Sequence, residues 1–397
     1  MKHVTRPRTA AAVAALLAVS ATLTACGSDD KKSTARTADK ASGSPAAPVA
    51  DPIVTTYDGG LYVLDGKTLK LKEDIPLKGF NRVSPAGDDR HVMVSTSTGF
   101  RVLDAAGRQL TDVEFAGSKP GHVVRHAGRT ILFADGTGEV TIFDPKELGG
   151  TKPKAETYTS AAPHHGVAIR LADGTLVTTL GTEEKRVGIA VLDEDRKEIT
   201  RSEKCPGVHG EATAQGEAVV IGCEDGVLIY KDGAIKKVNS PTEYGRTGNQ
   251  AGTDESPVVL GDYKKDKDAE LERPEQVSLI DTETGTMRLV DLGTSYTFRS
   301  LARGPHGEAL VLGTDGNIHV IDPATGKVTK KISVLGSWQE PLDWQQARPA
   351  LFVRDHTAYV SDPSGKKLLA IDIESGKRLA TTELPKAPNE LSGVARH

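Results

Sequence analysis

Histidines stand out first. His122 follows Pro120-Gly121, the pair His164-His165 follows Pro163, and His209 follows Gly207-Val208, with a step of about 43 residues between successive motifs. Neutral imidazoles brought together from separate segments are good ligands for a borderline divalent cation. Three nitrogens leave one tetrahedral position for a carboxylate or water. Glu211 and Glu390 are candidate fourth ligands, or acceptors that orient a ligating ring. The candidate metal set is therefore His122, His164, His165, His209 and Glu211. Side chains alternate along a strand, so one of His164 and His165 can serve another role, and the residues that follow His165 favour it for the site. His126, four residues after His122, shares its strand face and is a candidate deeper ligand. His91, His319 and His356 fall in other strands and read as structural or exposed; His306 falls in a turn.

The elements that must position these residues form a repeat array. Val63-Leu64-Asp65, Val102-Leu103-Asp104, Ile142-Phe143-Asp144, Val191-Leu192-Asp193, Leu279-Ile280-Asp281, Val320-Ile321-Asp322 and Ala370-Ile371-Asp372 are apolar strands, each ending in an Asp-led turn. Before most of them lies another apolar strand and a tight turn, such as Ile131–Ala134 before Asp135-Gly136 and Leu310–Gly313 before Asp315-Gly316. Asp-Gly between apolar strands signals a hairpin. Four short strands per repeat, A to D, make one propeller blade.

Strand A starts near Asn81, His122, His165, His209, Asn249, Arg299 and Gln346. An eighth start near Asn389 has no strand B after it, while Ile53–Tyr57 reads as a strand B with no strand A before it. Pairing the two closes the ring and removes its open edge. The expected fold is all-β, a propeller of eight four-stranded blades, with seven as the alternative count. Because strand A lines the channel, one mouth would gather His122, His165 and His209 from the third to fifth blades. The charged segment Tyr263–Pro274 reads as a surface loop in the sixth.

Lys2, Arg6 and Arg8 precede a short apolar run over residues 9–22, and Leu23-Thr24-Ala25-Cys26 reads as a lipobox. Residues 1–25 are thus expected to be a lipoprotein signal peptide, with Cys26 acylated and residues 27–52 a disordered tether. The propeller domain would run over 53–397. Removing residues 1–25 takes the formal charge from −4 to −7. A mildly acidic body without a basic stripe makes nucleic acid an unsuitable partner. No later segment reads as a transmembrane helix. The expected location is the outer face of the cell membrane, held by lipid alone, as a monomer. In that disulfide-permissive compartment Cys205 and Cys223 are expected to pair.

Pro163-His164-His165-Gly166-Val167-Ala168, Cys205-Pro206-Gly207-Val208-His209-Gly210-Glu211 and Gly222-Cys223-Glu224-Asp225-Gly226 resemble the AztD family of secreted zinc metallochaperones, and the resemblance runs through most of residues 53–394. It implies a propeller that binds Zn2+ in its channel and passes it by direct contact to the solute-binding protein of a zinc ABC importer. Imidazole alone does not separate zinc from copper or nickel; the resemblance selects zinc. The family can carry a His-rich N-terminal segment, whereas residues 27–52 contain no His. A second zinc site built with that segment is not expected, and the lipid anchor would hold the protein near the importer instead.

Binding and exchange, not catalysis, is the activity expected. A quinoprotein would need a Trp in most blades, and only Trp338 and Trp344 are present. A metal-dependent hydrolase or lyase would use Glu211 as general base. An envelope scaffold would need only surface contacts. The Asp-Gly turns lack the clustered carboxylates of a calcium loop. No P-loop, G-x-S-x-G or His-Glu-x-x-His motif occurs.

Overall fold

The computed structural model describes residues 47–395. Their strands form eight separate antiparallel sheets, one per blade, and the only helical elements among the described residues are the short 3-10 turns Pro145–Glu147 and Gln215–Glu217. The first blade holds Ile53–Tyr57, Gly60–Leu64 and Leu71–Pro76, completed by Leu391–Gly393 from the other end of the chain. Ile53 pairs with Gly393, Val54 with Ser392 and Thr55 with Leu391. The Thr55 hydroxyl also donates to the Glu390 carbonyl at 2.8 Å. The eight-blade count and the closure by the C-terminal strand both hold.

The strands obey simple rules. Inner strands are runs of β-branched and aliphatic residues buried on both faces, as in Ala218–Cys223. Each such Val, Leu or Ile contributes roughly 1.5–3 kcal/mol on burial. Outer strands alternate, with Lys or Arg facing solvent, as in Val328–Ser333 and Ala234–Asn239; charge there blunts edge-to-edge pairing. In seven of the eight blades an Asp at the end of strand C works as a turn cap. Asp281 Oδ1 accepts from Glu283 N and Thr284 N, both at 2.9 Å, and Asp372 Oδ1 accepts from Ser375 N at 2.7 Å. Local backbone capture of this kind is what fixes Asp at these turns.

Residues 1–46, with the expected signal peptide and Cys26, lie outside the described residues. The last part of the expected tether belongs to the body. Val49 is buried and its amide donates to the Ala106 carbonyl at 2.9 Å. The Arg354 guanidinium donates to the carbonyls of Asp51 at 2.8 Å and Pro52 at 3.3 Å. The charged sixth-blade insert does connect two strands, Val258–Asp262 and Gln276–Asp281, but it starts anchored: Tyr263 is buried and its amide donates to Tyr296 Oη at 3.0 Å.

Candidate metal centre

His122 sits on strand A of the third blade (Pro120–His126), His209 opens strand A of the fifth (His209–Ala214), and His165 lies in the lead-in to strand A of the fourth (Ala168–Arg170). In the third and fifth blades the ladder slips register beside the histidine, between Pro120 and Val123 and between His209 and Glu211. Such bulges re-aim side chains near functional sites. The ring centroids stand 5.2 Å (His122 to His165), 5.5 Å (His122 to His209) and 4.8 Å (His165 to His209) apart. One ligand nitrogen from each ring lies within 4.8 Å of the other two. The cluster lines a cavity of about 530 Å³ shared with Arg82, Glu211, Lys264 and Trp344.

Each ring has its Nδ1 taken by an acceptor. His165 Nδ1 lies 2.5 Å from Asp135 Oδ2, His209 Nδ1 is 2.6 Å from the Gly248 carbonyl, and His122 Nδ1 is 3.2 Å from Glu211 Oε2. An acceptor at Nδ1 holds the proton there, which leaves the lone pair on Nε2. This is how metal-ligating imidazoles are oriented and made more basic. Burial works to lower the His122 pKa, but the charge and hydrogen bond of Glu211, with help from Asp135, raise it above the ordinary value. Burial, then the neighbouring His122 and His165, hold His209 well below its ordinary value, so it stays neutral.

Two glycines make these contacts possible. A Cβ at Gly121 would collide with the Asp135 carboxylate, and a Cβ at Gly210 with the Gly248 carbonyl that receives His209. Gly210 also has φ +74°, a region that favours glycine.

Other candidates lie elsewhere. His164 is buried, with Nδ1 2.9 Å from the Ala162 carbonyl and Nε2 2.9 Å from Thr179 Oγ1, and its ring meets Phe133 edge-on. Both nitrogens are engaged, so the vicinal pair divides: His165 faces the cavity and His164 fixes the loop behind it. Glu211 stands beside His122 as an Nδ1 partner. Glu390 pairs instead with Arg299 at 2.6 Å and sits 3.6 Å from Arg82. His126 binds Glu217 at 2.7 Å. Asp135 and Gly248 were not singled out by the sequence as part of the site. Asp135 reads there as a hairpin turn residue, and a backbone carbonyl leaves no side-chain signal.

Cys205 and Cys223 form a disulfide, both fully buried. It ties the segment entering the fifth blade, four residues before His209, to the end of strand B (Ala218–Cys223).

Comparison with known proteins gives a consistent picture. The profile of a family described as outer membrane protein assembly factor BamB matches residues 212–397, under half of the chain. Zinc chaperone AztD of Citrobacter koseri is 25% identical over 302 residues, covering 74% of this chain and 69% of that protein. The structure of apo AztD from Citrobacter koseri superposes with a TM-score of 0.73 at 23% identity, covering 87% of this chain and 98% of that one. Dihydro-heme d1 dehydrogenase NirN superposes with a TM-score of 0.58 at 13% identity over 87% of this chain and 75% of that one, a likeness of fold alone. The sequence match across most of the propeller, on the same blade architecture, makes this chain similar to the zinc chaperone AztD.

Proposed function

We propose that this protein is a zinc metallochaperone that carries Zn2+ as cargo in its channel mouth, on the Nε2 atoms of His122, His165 and His209. The observation that carries the reading is the triple arrangement of Nδ1 acceptors, Asp135, the Gly248 carbonyl and Glu211, around three converging rings. The relative named as a zinc chaperone supports the same cargo. Three neutral nitrogens with an exchangeable fourth position hold zinc firmly and still let it leave by ligand exchange, which a closed thiolate site resists. His165 is the natural exchange ligand, since 43% of its side chain is exposed against 21% for His122.

The receiving partner in this proposal is the solute-binding protein of a zinc ABC importer, docking on the mouth. Export, anchoring through acylated Cys26 and action as a monomer at the outer face of the membrane belong to the same proposal. The test mixes the zinc-loaded protein with the metal-free solute-binding protein. Transfer that accelerates with acceptor concentration, beyond the rate of release to a chelator, supports direct exchange; a rate equal to that release contradicts it.

A scaffold role is the second reading, favoured by the BamB profile match over residues 212–397. It requires surface contacts only, so function would survive loss of His122, His165 and His209.

A further inference from the structure

Among the described residues a second set of ligand atoms converges away from the channel mouth: His306, His356 and Glu374, each offering one atom within 4.8 Å of the others. His306 lies in the A–B turn of the seventh blade, between Leu301–Arg303 and Ala309–Leu312. His356 lies in the A–B turn of the eighth, between Leu351–Arg354 and Thr357–Asp362. Glu374 lies in the C–D turn of the eighth, between Lys367–Asp372 and Arg378–Glu383. In an antiparallel blade these turns lie at the far ends of strands A and C, on the face opposite the starts of strand A where His122 and His209 sit.

The contacts point to a metal. Glu374 Oε1 lies 2.8 Å from His356 Nδ1 and 3.4 Å from His306 Nε2, and the two rings are 5.6 Å apart. One carboxylate oxygen thus faces ring nitrogens from two blades at once. A divalent cation can replace the ring protons that such an arrangement otherwise requires. The backbones that carry the three residues are tied down. The Ile373 amide donates to the His356 carbonyl at 2.9 Å, and Lys330 Nζ, from the seventh blade, donates to the Glu374 carbonyl at 2.6 Å. The His306 amide donates to Glu308 Oε2 at 3.0 Å. All three side chains are more than half exposed, so the remaining coordination positions face water.

We infer that His306, His356 and Glu374 form a second metal site, an open His2Glu set for a borderline divalent cation of the Zn2+ or Cu2+ class, bridging the seventh and eighth blades. Its three ligands share no residue with the channel cluster. Its exposure and open positions make it the weaker and faster-exchanging of the two.

The test measures zinc bound per chain at micromolar free zinc, for the full protein and for H306A/H356A, with E374Q as a second variant. Exposed side chains allow these substitutions without refolding the core. The expected result is one zinc fewer per chain in H306A/H356A and weakened binding of that zinc in E374Q, while H122A/H165A/H209A retains it. If the channel reading alone fails, the unaltered protein binds one zinc and H306A/H356A binds none. Equal stoichiometry in the unaltered protein and H306A/H356A overturns the second site.

Discussion

Asp135 Oδ2 lies 2.5 Å from His165 Nδ1, although the two residues are 30 positions apart and belong to different blades. The contact crosses from the B–C turn of the third blade to the lead-in of the fourth. It gives the most exposed of the three rings a fixed orientation.

Replacing Asp135 with Asn should therefore weaken zinc binding by roughly 10–100-fold, the usual effect of losing an acceptor behind a ligating His. Thermal stability should barely move, since Asn has nearly the same shape and its partner His165 is exposed. Competition against a chelating indicator measures the first quantity and a melt the second. Unchanged affinity in D135N would remove Asp135 from the site.

Gly210→Ala tests how the backbone builds the site. The new methyl meets the Gly248 carbonyl and the residue is held at φ +74°. We expect a loss of about 1–2 kcal/mol of stability and a zinc affinity that falls further than that loss explains, because the His209 acceptor must move. Denaturant melts beside zinc titrations separate the two effects. An affinity that stays intact would show that the Gly248 contact does not orient His209.

Zinc binding should weaken as pH falls, and His122 should set where the weakening starts. Glu211 raises its pKa against the effect of burial, so protons compete for this ring from above the usual His value of about 6.5. His209 is held well below that value and adds no competition near neutrality. Affinity should then drop by about tenfold per pH unit while one proton competes. In E211Q the onset should move to lower pH, as the charge that raises His122 is gone. Titrations at neutral and mildly acidic pH check this; an affinity independent of pH would contradict ligation by imidazole.

The disulfide should matter for both fold and site. Its closed loop of 18 residues corresponds to about 3 kcal/mol in the chain-entropy account. A C205S/C223S variant should show a lower denaturant midpoint and weaker zinc binding, since the bridge anchors the segment that leads into His209. An unchanged midpoint would show that packing alone fixes that segment.

Much of this architecture was legible in the residues. Asp-led turns mark seven of the eight blades, strand A starts recur through the chain, and Ile53–Tyr57 lacks a preceding strand that Leu391–Gly393 supplies, so blade number and closure followed from counting. His122, His165 and His209 were legible because each occupies the same slot in adjacent blades. The orienting contacts were hidden for physical reasons. Asp135 looks like any hairpin Asp until ring closure sets it beside His165. Gly248 acts through its carbonyl. The sidedness of His164-His165 depends on Thr179 and Phe133 packing behind His164. His306, His356 and Glu374 each look like turn or strand-end residues, and they meet only because neighbouring blades stack.

In the proposed function His122, His165 and His209 together hold zinc. The most direct test is the zinc content of the purified protein beside H122A/H165A/H209A, with circular dichroism to confirm the β-rich fold in both. The triple variant should stay folded and carry one zinc fewer per chain, the lost ion being the tighter. A folded triple variant that binds as much zinc, as tightly, as the unaltered protein would contradict it.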